Sequence, residues 1–230
     1  MQPTFLPWIG YLAMFEYVDI FVFLDSVQFA KRSWQQRNQI KTASGPQWLT
    51  MPVKSKGLRD QPIIDVQIET EANPQAKILN AIKTNYSSAP FFNEYFPAFE
   101  RVFLSEATNL CELNIQVIRW LLQSFGVQEK KWVRSSNFDF QGAKADLMVN
   151  ICNHFGAKVY LSALGSKEYN EQSTAFTENG IKIVYHQFQH PTYHQAFGEF
   201  VPFMSAIDLL FNEGPSARRF LLEGLKGLET

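Results

Sequence analysis

The chain is poor in several things that would name a function. It has two cysteines in 230 residues, Cys111 and Cys152, both in helix-like segments (NLCELNIQVIRWLL and LMVNICNHFGA). Two isolated thiols exclude a disulfide framework and point to a reducing compartment. No apolar run reaches the roughly 18 residues of a membrane-spanning helix, and no signal-peptide pattern opens the chain. The expectation is a cytoplasmic protein with no membrane span. A formal net charge of -1 provides no global positive field, which argues against nucleic acid as a partner. The spacings GxxxxGK[ST], GxSxG, HExxH and GxGxxG are absent, as is a kinase signature. No metal or nucleotide motif of standard spacing therefore names a cofactor.

What the chain does have is apolar mass. Hydrophobic residues are 46% and aromatic residues 15%, with 21 phenylalanines, enough for a well-buried core in a single domain spanning 1–230. Such aromatic richness fits a dense core or the subunit interface of a homo-oligomer.

Acidic residues are missing from one place in particular. Between Asp25 and Asp60 there is none, while Lys31, Arg32, Arg37, Lys41, Lys54, Lys56 and Arg59 give +7, leaving -8 for the rest. A local basic segment on an otherwise acidic chain points to one anionic ligand or one acidic partner surface. The alternative is a pair of exposed strands whose lysines protect an edge.

Periodicity predicts the order of elements. IGYLAMFEYV reads as a short helix and DIFVFLD as a strand. NQIKT and QWLTMPV read as a hairpin with Gly45-Pro46 in its turn, and QPIIDVQIE as a further strand. Three helices follow, in PQAKILNAIKTNYSS, around FFNEYFPAFERVFLS, and in NLCELNIQVIRWLLQSFG, the last closed by Gly126. Strands and helices then alternate through KWVRSSNF, KADLMVNICNHFGA, KVYLSAL, SKEYNEQSTAFTENG and IKIVYHQF. SAIDLLFNEG opens with a Ser205 to Asp208 cap pattern, and PSARRFLLEGLKG predicts a terminal helix with Pro215 near its start. The predicted fold class is α/β: a mixed, largely parallel sheet flanked by helices, with an inserted β-hairpin and a central helical segment.

In open α/β sheets ligands sit beyond the carboxyl ends of the strands. Four polar clusters fall there: residues 25 to 38, Ser135-Ser136, Ser162 to Tyr169, and His190 to Gln195. In DSVQFAKRSWQQRN, Arg32 and Arg37 each offer a planar fork to a carboxylate or phosphate, and Lys31 a point charge. Asp25 can orient an arginine or bind an amine, while Gln28 and Asn38 suit sugar hydroxyls or an amide. In HPTYHQ, His190 is the natural proton carrier, and Tyr193 and Gln195 can donate to a developing oxyanion. His186, His190 and His194 share an i, i+4 step, but Pro191 and the adjoining strand disfavour the helix that a zinc site on them would need. Free N–H groups at Gly10, in PWIGY, would suit a phosphate if that residue opens a helix. Ser162 and Lys167 are candidates to reach the same cleft.

Taken together, QPTFLPWIGY, VDIFVFLDSVQFAKRSWQQRN, PQWLTMPV, RSSNF, GAKVYLSALGSKEY, HQFQHPTYHQ and FVPFMSAIDLLFNEG resemble the WbqC-like family of bacterial proteins. That resemblance implies a place in O-antigen and other surface-polysaccharide gene clusters, and attachment of an amino acid such as glycine, or a related acyl group, to a sugar. It adds Gln2 and Tyr169 to the candidates. The family pattern opens with a short apolar strand ahead of MQP, and here Met1 stands at that point, which leaves the first sheet position open.

The leading expectation is a transferase acting on an anionic small molecule or carrier-linked substrate. Lys31, Arg32 and Arg37 would bind the anion, Asp25 or His190 would act as base, and Tyr193 with Gln195 would stabilise the oxyanion. A nucleotidyltransferase using the turn around Gly10 and Tyr11 is one alternative, although the HxGH histidines are absent. A non-catalytic scaffold of the polysaccharide machinery is the other.

Overall fold

The amino-terminal segment is the thread on which the rest is assembled. In this computed structural model, which describes residues 1–229 apart from the side chains of Tyr169, Lys226, Leu228 and Glu229, residues 1–8 thread through the protein with a bend at Phe5-Leu6. Met1 pairs with the first strand through its amino group to the Val22 carbonyl (2.8 Å) and from Leu24 N–H to its own carbonyl (2.8 Å). Phe5 N–H donates to the Trp34 carbonyl and Ala206 N–H to that of Pro7, so both later halves of the chain are tied to this thread.

A short helix α1 (Ile9–Ala13) leads to β1 (Ile20–Phe23), then the hairpin β2 (Arg37–Thr42) and β3 (Gly45–Thr50). The hairpin turn is Ala43-Ser44, and Gly45 and Pro46 already pair with Thr42 and Lys41, one step beyond the predicted turn. Thr42 drives that shift, its hydroxyl donating to the Gly45 carbonyl and accepting from Ser44 N–H. QPIIDVQIE is not a strand. It forms a single 3-10 turn at Ile63–Asp65 with isolated bridges such as Val53 to Ile68, because Ile63, Val66 and Ile68, spaced three and then two apart, all turn into the same core.

The central helices are α2 (Pro74–Tyr86), α3 (Phe92–Phe103) and α4 (Leu110–Ser124). Asn73 and Asn109 cap α2 and α4 through side-chain oxygens that accept from Ala76 and Glu112 N–H groups. On α3 the spacing Phe92, Phe96, Phe99, Phe103 makes one stripe of four buried rings, each contributing about 1.5–3 kcal/mol by burial. Gly126 ends α4 in the left-handed conformation (φ 63°), as its position predicts.

The remainder alternates: β4 (Lys131–Arg134), α5 (Lys144–His154), β5 (Val159–Ala163), the short α6 (Lys167–Glu171) and α7 (Ala175–Glu178), β6 (Lys182–Phe188), α8 (Ala206–Glu213), α9 (Ala217–Glu223) and β7 (Leu225–Glu229). The fold class is α/β, but its parallel pairing is split. β1 pairs with β4, and β5 with β6, both parallel, while β7 closes the second sheet antiparallel to β6. The predicted terminal helix therefore gives way to a strand after Glu223.

Between β1 and β5 lies an apolar cleft of about 510 Å³, walled by Val18, Val22, Met148, Phe155 and Leu161 among others. No helix among the described residues is long and apolar enough to cross a membrane.

Candidate functional site

The residues of DSVQFAKRSWQQRN are largely spent on building their own loop. Gln35 accepts from Ala30 N–H and donates to Gln2 Oε1 (2.9 Å), and Gln36 accepts from Arg32 N–H, stabilising the left-handed turn at Arg32 (φ 57°). Asn38 is buried and donates to the Leu6 carbonyl (2.6 Å) while its Oδ1 accepts from Gln39 N–H. On α4, Asn114 donates to the carbonyls of Pro3 and Gln35. These amides hold the thread and are committed to it. Gln28 is exposed and donates to Asp60 Oδ1, and Lys31 donates to the Ser55 carbonyl. Arg32 is exposed, and Arg37 lies over the Trp48 ring at 4.3 Å.

Two polar centres stand out, one at each end of this thread. At the carboxyl ends of β1 and β4, Asp25 is fully buried. Its Oδ2 accepts from Arg134 Nε (2.7 Å) and Ser136 Oγ (2.9 Å), and its Oδ1 from Ser136 N–H (2.9 Å) and Ser135 Oγ (3.1 Å). Arg134 also reaches Glu112 Oε2 at 2.9 Å. Burial raises the Asp25 pKa, but the Arg134 and Ser136 hydrogen bonds and the arginine charge outweigh it, leaving the carboxyl below its ordinary value. A depressed, fully bonded carboxylate is a poor general base. The structure thus places Asp25, Ser135 and Ser136 together, as mutual partners.

The second centre surrounds Asp208, which is not a capping residue. Ser205 precedes α8 without a side-chain cap, and Asp208 turns inward instead. Its carboxylate accepts from Tyr86 (2.7 Å), Tyr193 (2.6 Å) and Gln195 Nε2 (2.7 Å). Lys41, buried from the basic segment, donates to the Glu199 carbonyl, and its charge is felt at Asp208. Burial raises Asp208 above the usual carboxylate range despite those donors and that charge. Both tyrosines are held well above their ordinary pKa, first by burial and then by the Asp208 charge. Tyr193 and Gln195 thus direct their hydrogens at Asp208. Sequence reading missed Tyr86, Lys41 and Asp208 as one unit; the only local signal was an unneeded carboxylate inside an apolar helix.

His190 sits against this centre, in a ring of aromatics. Its imidazole stacks beside Trp8 (6.2 Å) and Tyr193 (6.1 Å) and meets Phe188 (6.2 Å), Phe200 (5.6 Å) and Phe203 (5.3 Å). Nδ1 lies 2.9 Å from the Pro191 carbonyl oxygen. A carbonyl only accepts, so Nδ1 carries the hydrogen and Nε2 keeps its lone pair. Nε2 is buried and has no hydrogen-bond partner among the described residues; neither has Ser205 Oγ. Burial lowers the His190 pKa, opposed by the Pro191 carbonyl, so the ring is neutral near neutral pH. Trp8 joins the two residues: its ring stacks on His190 while its backbone bridges Ser205.

The remaining candidates lie elsewhere. Gly10 is buried under Trp8, where a Cβ would meet the indole at 2.2 Å, and Tyr11 is buried with its hydroxyl on the Gln2 carbonyl. This turn is closed to a phosphate by Trp8 itself. Ser162 is buried and accepts from Asn170, and Lys167 lies 3.9 Å from Glu171. The Tyr169 side chain is outside the described residues. None of the candidates lines the apolar cleft beside β1. Among the described residues no group of three or more His, Cys, Asp or Glu is placed to hold a metal ion.

The basic segment meets the stretch that follows HPTYHQ, residues 198–205, and not through arginine. Lys41 bonds to the carbonyl of Glu199, and Ser205 N–H donates to the Gln39 carbonyl at 2.9 Å.

Comparison with known proteins agrees with this organisation as far as family. The uncharacterized protein Rv1507c of Mycobacterium tuberculosis (strain ATCC 25618 / H37Rv) is 31% identical over 223 residues, 96% of this chain and 95% of its own length. No solved structure matches the chain. The WbqC-like protein family matches residues 2–220, and the chain belongs to that family.

Proposed function

We propose that the protein is a transferase of surface-polysaccharide biosynthesis that attaches an aminoacyl or acyl group to a sugar, with His190 as its general base. One observation supports this most: His190 presents a neutral, partnerless Nε2 inside an aromatic enclosure, with its tautomer fixed by the Pro191 carbonyl. That is the state a base needs to take a proton from an amine or hydroxyl as it attacks an activated carbonyl. The rings of Trp8, Phe200 and Phe203 exclude water around it, and Tyr193, anchored on Asp208, fixes one wall. Arg32 and Lys31 lie exposed on the loop beside the same thread, where they would bind the anionic part of donor or acceptor.

The nucleotide reading loses its site, since the turn at Gly10 lies beneath Trp8. The test is a strain whose only copy carries His190→Gln, with the mass of its polysaccharide repeat unit measured. Loss of one aminoacyl or acyl substituent, with the variant protein present at parental level, supports the reading. An unchanged repeat unit rejects it and leaves a scaffold.

A further inference from the structure

Four large aromatic side chains stand exposed among the described residues: Trp34 (52%), Trp48 (41%), Phe197 (43%) and Phe203 (52%). All four belong to two segments that touch. Trp34 and Trp48 lie on the hairpin and the loop leading into it, with ring centroids 5.4 Å apart. Phe197 and Phe203 lie on the loop before α8, which joins the hairpin through Ser205 N–H on the Gln39 carbonyl and Lys41 on the Glu199 carbonyl.

The display is held at a cost in backbone strain. Phe197 (φ 64°) and Phe203 (φ 65°) both take the left-handed conformation that glycine favours. Both rings nonetheless remain exposed. The same region holds five exposed cations of the basic segment. Lys31, Arg32, Lys54, Lys56 and Arg59 are exposed, and Lys31 donating to the Ser55 carbonyl ties residues 54–59 to the loop that carries Trp34. Leu58 (46% exposed) stands among those cations. The carboxylates nearby include Glu199, Asp60, which Gln28 engages, and Glu69, whose N–H donates to the Pro52 carbonyl two residues before Lys54.

From this we infer that the hairpin and the loop before α8 form a docking face for an anionic lipid bilayer, with the aromatic edges entering the headgroup layer and the cations meeting lipid phosphates. Exposed aromatic rings among lysines and arginines match both the apolar and the charged layer of such a surface. A glycan is the competing occupant, and the neighbours of these rings limit the faces on which a pyranose would stack. Arg37 covers Trp48 at 4.3 Å, Trp34 leans on Trp48 at 43°, and Phe203 meets Trp8 and His190 at 5.4 and 5.3 Å. The inference goes beyond the transferase reading and does not rest on it.

Vesicle flotation tests it with the intact protein. Binding to phosphatidylcholine vesicles containing phosphatidylglycerol is expected, weakened by salt, with little binding to phosphatidylcholine alone. Lys54→Gln and Lys56→Gln are each expected to lower the partition about fivefold, and Trp34→Ala combined with Phe203→Ala about tenfold. Leu222→Ala, an exposed apolar residue on α9, is expected to bind as the parent does. Unchanged circular dichroism separates lost docking from lost folding, and the two lysine variants carry the test if the aromatic pair unfolds. No binding to anionic vesicles at low salt overturns the inference. So does binding indifferent to these substitutions, or displacement by a soluble anionic oligosaccharide.

Discussion

The Tyr193 hydroxyl donates to Oδ2 of Asp208 across 2.6 Å. This bond decides what Tyr193 does: its hydrogen is engaged before any substrate arrives, so it acts as a wall and an anchor for the HPTYHQ loop. Removing a hydrogen bond to a buried, charged acceptor costs about 1.5–3 kcal/mol. Tyr193→Phe is therefore expected to lower the unfolding free energy read from urea titration by that order while the fold survives on Tyr86 and Gln195. An unchanged free energy would show that Asp208 does not depend on it.

Asp25 and Asp208 titrate in opposite senses. The folded pKa of Asp25 is lowered, so its contribution is present above the ordinary carboxylate value and lost as pH falls through the folded one. Asp208 is raised, so its ionisation erodes stability as pH climbs from the ordinary value through the folded one. In Arg134→Met, Asp25 loses its cation while still buried, which costs about 3–5 kcal/mol. Chemical denaturation from pH 7 downward should show the variant less stable, with the gap narrowing in acid as Asp25 is protonated. A gap that widens in acid would contradict this.

Gly10→Ala reverses the usual sign of a helix substitution. Alanine ordinarily stabilises a helix interior by about 1 kcal/mol relative to glycine. Here the added methyl would meet the Trp8 ring at 2.2–2.5 Å, and that ring stacks on His190. A lower melting temperature is expected, with a changed tryptophan emission as the indole shifts. A stabilised protein would mean that Trp8 moves freely.

Both thiols are buried and held in the protonated form. Burial pushes Cys111 to about 12, helped by the Asp25 charge, and Cys152 to about 11. With dithionitrobenzoate at pH 8 neither should react until denaturant is added. Fast release from the native protein would place a thiol at the surface.

The sequence was most readable where structure is local. The helices α2, α3 and α4 follow their apolar spacing, and the β1, β4, β5 and β6 segments their short apolar runs. What it hid was pairing at long range. Asp208 matched a capping pattern, yet Tyr86 and Tyr193, far away in sequence, draw it inward. Lys41 looked like one more surface cation and is buried. Asp25, Ser135 and Ser136 read as ligand groups from their place at strand ends. They do converge, but their hydrogen bonds go to one another. Amide-rich loops mislead in the same way, because Gln35 and Asn38 satisfy buried backbone that no substrate reaches.

The central claim is that neutral His190 accepts the proton, and the pH dependence of aminoacyl or acyl incorporation into polysaccharide by extracts tests it most directly. With the ring's pKa lowered by burial, incorporation should rise with pH through a midpoint below the ordinary histidine value and then level. His190→Gln should lower it about 10²–10⁴-fold at the plateau. Parental incorporation by that variant, or a rate independent of pH across the acid range, would contradict the account.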